Sequence, residues 1–231
     1  MTTPVADPPT DVAPSSRPTS LPELALRRRL LALLQASVPP EPVTYEEFLA
    51  WADEDTLAEW VDGKVIMTSP AGNIHQDISG FLTSLLRVFV ESSHLGVVRS
   101  APFQMKLERS GREPDLLFVA AGHEDRLREG YLEGPADLVV EIVSPESVGR
   151  DRGEKFTEYE AGGVPEYWLL DPQRRWAEFY LLEGGRYRLV WAGAEGQYRS
   201  RVLPGFWLRV EWLWQQPLPP VLAVLRELGL V

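Results

Sequence analysis

The chain has 231 residues, 44% of them hydrophobic and 25% charged, which suits one globular domain of ordinary size with a sizeable core. It has no cysteine, which excludes a disulfide framework and a thiolate zinc site, and its three histidines (His75, His94 and His123) show no H-x-x-x-H spacing. A net charge of −11 repels polyanions unless arginines cluster locally, and no stretch approaches the roughly 18 apolar residues needed to span a bilayer, so a cytoplasmic protein away from membranes is expected.

Residues 1–19 are rich in proline, serine and threonine without apolar periodicity and read as a disordered tail. Residues 20–40 read as an amphipathic helix opened by a capping box at Ser20 and closed before Pro39 and Pro40, a helix suited to self-association. Residues 41–231 read as a single domain. A second capping box, Thr44 to Glu47, starts a short helix to about Trp51, and LAEWVDGKVIMTS reads as a hairpin turning at Asp62-Gly63. Asn73 is a candidate N-cap for a long helix, with Ile74, Ile78, Phe81, Leu82, Leu85, Leu86 and Phe89 at helical spacing.

VVRSAPFQMKL, DLLFV and DLVVEIV follow as three strand candidates. A helix from about Arg150 to Ala161 ends at Gly162-Gly163, and EYWLLD reads as the next strand. WAEFYLL and YRLVW form a hairpin across Glu183-Gly184-Gly185-Arg186, and a short helix follows the prolines at 217, 219 and 220. This order describes an α/β or α+β core. Trp168, Trp176, Trp191, Trp207, Trp212 and Trp214 fall in apolar, strand-like contexts and read as core rather than as base-stacking platforms.

The chemistry starts at Glu141, a carboxylate inside the apolar run Leu138, Val139, Val140, Ile142, Val143. Such a run reads as a strand buried on both faces, where an unpaired carboxylate costs at least several kcal/mol. Either a core ion pair or a metal compensates it. Asp115 opens a second apolar run, so two neighbouring strands offer carboxylates to one point, as a hard cation such as magnesium requires. Lys155 lies fourteen residues after Glu141 on the following helix, with Tyr159 at i+4 on the same face, although a helical lysine often covers only a solvated face.

The strings EWVDG (59–63), His75, EPD (113–115), DLVVEIVSPES (137–147), D-x-x-x-K-x-x-x-Y (Asp151, Lys155, Tyr159) and GVPEYWLLDP (163–172) occur in that order. Together they resemble the Uma-two family of restriction endonuclease-like proteins in the PD-(D/E)XK nuclease superfamily, over about residues 44–212. The resemblance implies a restriction endonuclease-like core, a central mixed sheet flanked by helices, here with extra N-terminal helices and hairpins. It implies that Asp115 and Glu141 hold magnesium or manganese. Val143 stands where the superfamily's usual lysine would be, and Lys155 substitutes from the next helix as the third catalytic residue. Glu59, His75 and Tyr159 match accessory positions, although an exposed hairpin carboxylate and a hydrogen-bonded helical histidine are the plain readings of the first two.

The expected function is therefore a metal-dependent hydrolysis of phosphodiester bonds, with DNA as partner and a homodimer or higher homo-oligomer supplying two sites. A non-catalytic binding or oligomerisation module of nuclease ancestry is the alternative, as is a metal-dependent hydrolase of a smaller phosphate compound. Arg87, Arg99, Arg112, Arg150 and Arg152 are candidates for a phosphate-binding rim, and their sharing a face with Asp115 separates the nuclease from the module.

Overall fold

A strand buried on both faces needs a covering layer on each side, and the strand that carries Glu141 has both. The computed structural model describes residues 38–53, 56–145 and 147–231. The expected tail and the helix from Ser20 lie outside the described residues. The elements below all belong to the compact unit Pro40–Val231.

The central feature is a six-stranded sheet in the order β11-β10-β9-β8-β6-β3, built from β3 (Gly96–Ser100), β6 (Leu116–Ala120), β8 (Leu138–Ile142), β9 (Glu166–Asp171), β10 (Trp176–Glu183) and β11 (Arg186–Gly193). Only β8 and β9 run parallel; the other pairs are antiparallel. Parallel neighbours need a crossover. Here it contains a π-helical turn, Arg150–Glu154, that runs into helix α3 (Lys155–Gly162). Gly163 ends that helix in the left-handed conformation at φ 86°.

Strand alternation sorts the sheet's side chains into two cores. Leu138, Val140 and Ile142 of β8, with Leu116 and Phe118 of β6, pack under helix α2 (Asn73–Ser92), whose Ile78, Phe81, Leu82, Leu85, Leu86 and Phe89 form its buried stripe. The same cluster takes in Phe206 and Leu208 and the C-terminal helix α4 (Val221–Glu227). Val139 and Val143, with Leu117 and Val119, face the opposite way toward Tyr159 of α3 and toward Met105 and Leu132.

Those last two belong to a smaller five-stranded sheet, ordered β2-β1-β5-β4-β7. It comprises β1 (Ala58–Val61), β2 (Lys64–Met67), β4 (Gln104–Lys106), β5 (Ser110–Arg112) and β7 (Tyr131–Glu133). Helix α1 (Tyr45–Trp51) covers it, and its capping box is complete: Thr44 Oγ1 accepts from Glu47 N at 3.2 Å and Glu47 Oε2 accepts from Thr44 N at 2.9 Å. The hairpin turn is at Asp62-Gly63, both at positive φ. Two further short strands, β12 (Gln197–Arg199) and β13 (Trp207–Arg209), pair with each other.

Three expectations are corrected. VVRSAPFQMKL is two strands in two sheets, because Pro102 has no N–H to continue the ladder and the chain turns there. Asn73 is the first helical residue rather than the cap, which is Gly72 without a side-chain bond. Trp176 is 40% exposed, and Trp191, Trp207 and Trp214 are only partly buried, so the core reading holds fully for Trp168 and Trp212 alone. The α+β class and the mixed sheet flanked by helices are as expected.

Candidate active site

β6 pairs with β8 so that Leu116 faces Val140 and Leu117 faces Val139. One more step of that register sets Asp115 opposite Glu141. By alternation both project toward α3, on the side of Leu117, Val119, Val139 and Val143. The sheet thus turns two residues distant in sequence into neighbours. Asp115 is oriented by two bonds: its Oδ2 accepts the Ile142 N–H at 2.6 Å, and its Oδ1 lies 3.0 Å from His75 Nε2 on the first turn of α2.

Glu141 is 3% exposed. Lys155 Nζ lies 3.0 Å from each of its carboxylate oxygens, and Tyr159 donates its hydroxyl to Oε1 at 2.6 Å. Lys155 therefore occupies the space beside Glu141, while Val143, the residue in the usual lysine position, is a buried apolar side chain packed in the cluster of Leu117, Val139 and Tyr159. The ammonium also faces Glu59 Oε1 at 3.2 Å and Asp151 Oδ1 at 3.8 Å. Burial by itself would lower the lysine, but Glu141, then Glu59 and Asp151, outweigh it and hold it well above the usual range. Burial pushes the Glu141 carboxyl up, against the pull of Lys155.

Glu59 is 2% exposed, which corrects the reading of an exposed hairpin carboxylate. It accepts from Arg112 Nη1 at 2.9 Å and from the Glu113 N–H at 3.1 Å. Burial would raise it, yet Lys155 and Arg112 bring it below the usual carboxylate range. Glu113 is pushed up to about 7, by burial first and by the like charge of Glu59, against a bond from Gln104. His75 is raised: burial opposes this, and the bond and charge of Asp115 prevail. Burial also raises Asp151, whose Oδ2 accepts from Ser147 Oγ at 2.5 Å while its Oδ1 is buried without a hydrogen bond. Asp137, at the start of β8, accepts the Ala120 N–H at 2.7 Å and does not line this site.

These groups form the floor of a cleft of about 1200 Å³. The cleft lies at the C-terminal ends of the parallel pair β8 and β9, where α/β sheets place their ligands. Its walls mix neutral hydrogen-bonding residues, among them Thr68, Ser69, Ser79, Thr83, Ser100 and Ser144, with aliphatic and proline surface such as Leu57, Ile74, Pro102 and Pro172. Among the described residues, five carboxylates line it, Glu59, Glu113, Asp115, Glu141 and Asp151, against the cations Lys155 and Arg150.

The arginine rim is corrected. Of the five candidates only Arg150 lines the cleft. Arg87 pairs with Glu91 on the exposed side of α2, Arg152 with Glu178, and Arg99 lies over the Phe103 ring. Arg112 is wholly buried and bonded to Glu59, Glu154 and Glu158. Its place as the hub under the site was not legible, because a charged residue in Ser-Gly-Arg reads as surface.

Among the described residues, no three His, Cys, Asp or Glu side chains are grouped to hold a metal by themselves. The donor set still suits a hard cation that completes its shell with water and phosphate. A carboxylate has about four lone-pair sites; Asp115 uses two and Glu141 three. Asp115 and Glu141 thus keep free acceptor positions on facing strands, within a surplus of negative charge.

A model of the Uma2 family, described as "Putative restriction endonuclease", matches residues 45–211. Among solved structures, a "putative nuclease belonging to DUF820" from Anabaena variabilis has the same fold, with a TM-score of 0.65 and 17% identity over 75% of this chain and 98% of that one. No curated protein matches the chain.

Proposed function

The chain belongs to the Uma2 family, and from that premise we propose that it is a magnesium- or manganese-dependent nuclease that hydrolyses phosphodiester bonds in DNA. The observation that carries this reading is the apposition of Asp115 and Glu141 on facing strands, with Lys155 closing onto Glu141 at the floor of an open acidic cleft. Asp115 and Glu141 would hold the cation, which when bound lowers the pKa of a coordinated water and stabilises charge on the phosphate.

The chain's own residues do the rest. His75 and the Ile142 N–H fix the Asp115 carboxylate, and Tyr159 fixes that of Glu141. Lys155 stays protonated among its carboxylates and sets a positive charge where phosphate oxygens and the attacking water gather. Glu59 holds that ammonium from the far side, and Arg112 holds Glu59. Glu59, His75 and Tyr159 are positioning residues in this scheme. Cutting both strands of a duplex calls for two such sites, hence a homodimer.

One observation favours a second reading, a non-catalytic module: among the described residues, the only lysine or arginine side chains lining the cleft are Arg150 and Lys155. One comparison separates the two. Wild type is assayed on DNA, RNA and small phosphate diesters with and without magnesium or manganese, beside Asp115→Ala, Glu141→Ala and Lys155→Ala, with cation binding read by calorimetry. We expect cation-dependent cleavage of DNA that falls at least about a hundredfold in each variant. Cleavage that survives all three substitutions removes this site, and a wild type that neither binds cation nor cleaves is the module.

A further inference from the structure

Beside the cleft lies a second cavity of about 440 Å³, and the two share Ile74, Pro172 and Gln173. Its apolar lining includes Ile74, Leu213, Trp214 and Leu218; its neutral polar lining is Gln173, Gln215 and Gln216, with Asp77 and Arg175 as its charged lining. Trp214 ends the turn Val210–Trp214 and is held by a bond from its Nε1 to the Ala194 carbonyl at 2.8 Å. Ile74 is 51% exposed although its neighbours along the stripe of α2 are buried. It directly precedes His75, the partner of Asp115. An exposed isoleucine next in sequence to His75 thus stands in the wall common to the two cavities, and an indole lines the second one.

The chemistry of this cavity differs from that of the cleft. A rigid aromatic and aliphatic wall suits a flat heterocycle, because every base has a π-face that stacks on such a surface. Side-chain amides carry both donors and an acceptor, and they match the edges of bases better than they match phosphate, which asks for cations. The volume lies in the range of small-molecule pockets and is too small for a duplex. Resting on the nuclease reading above, we propose that this cavity is a nucleobase subsite: one base of the strand bound at Asp115 and Glu141 leaves the stack, packs against Trp214 and meets Gln173, Gln215 and Gln216 with its edge. The cleft then grips the backbone, and this cavity selects the register.

The test uses the full chain and a labelled oligonucleotide, single-stranded and duplex, with one abasic position stepped through the sequence. Binding is read by anisotropy in calcium, and cleavage in magnesium or manganese. In the wild type, loss of the base at one position is expected to weaken binding about tenfold, with flanking positions unaffected. Trp214→Ala is expected to bind the intact strand about tenfold more weakly and to ignore the abasic step, while Trp214→Phe keeps the wild-type profile. A wild type that binds or cleaves with a flat abasic profile overturns the subsite and leaves the nuclease intact, and that readout decides the matter even if Trp214→Ala fails to fold. A wild type that neither binds nor cleaves any strand overturns both.

Discussion

Arg112 has no exposed surface, yet its guanidinium reaches Glu59 at 2.9 Å, Glu158 at 2.6 Å and Glu154 at 3.1 Å. Breaking a buried pair by removing one partner is far more damaging than losing an exposed one, because the surviving charge stays desolvated. Arg112→Met leaves Glu59 inside without its guanidinium and is expected to lower stability by about 3–5 kcal/mol in urea unfolding. Arg109→Met removes an exposed bond to Asp62 and is expected to leave the urea midpoint where it is. Equal midpoints for the two variants would mean that Arg112 is no hub. Glu141 had shown itself in the sequence because a carboxylate among valines is an anomaly; Arg112 had not, because its neighbours Ser110, Gly111 and Glu113 look like a surface loop.

Among the elements, β9 shows how a buried carboxylate can be satisfied without any cation. Glu166, fully buried, accepts from Trp168 Nε1, Tyr198 Oη, Ser200 Oγ and the N–H groups of Arg201 and Val202, which ties β9 to β12 and the segment after it. Glu166→Ala orphans several of these donors at once, and a loss of at least about 3 kcal/mol is expected in urea unfolding. A loss below about 1 kcal/mol would show that water replaces the carboxylate there. Periodic elements were legible in advance: α2 by its 3.6-residue stripe, the hairpins by Asp62-Gly63 and Gly184-Gly185. The short strands β5 and β7 were not, since their pairing is dictated by tertiary contact. Gly111 of β5, for example, is needed because a Cβ there would lie 2.4 Å from the Tyr45 ring.

For the whole molecule, net charge decides how it meets a polyanion. At −11 overall, with five carboxylates among the described residues of the cleft against Arg150 and Lys155, nucleic acid is repelled unless a cation intervenes. Few counterions would be released on binding, so the slope of log K against log salt is expected to be about −2, as for two neutralised phosphates. A slope steeper than about −5 would reveal a basic surface elsewhere and shift the interface away from the cleft. The family and the restriction endonuclease-like fold were readable from ordered strings, and the positions of Asp115, Glu141 and Lys155 were marked by the same strings, whereas the register that sets the first two side by side is tertiary. The acidic balance of the cleft was not, because it depends on which arginines other carboxylates consume.

The two sheets divide the site between them: the six-stranded sheet and its helices carry Asp115, Glu141 and Lys155, whereas Glu59 and Arg112 come from the smaller one. Miniaturisation of this scaffold therefore meets a limit set by charge before one set by packing. A version trimmed to the larger sheet would keep every group proposed to touch the cation, yet its ammonium would lose a counter-charge and Glu158 its guanidinium. Any smallest working version has to retain β1 and β5 of the smaller sheet for the sake of two side chains, Glu59 and Arg112.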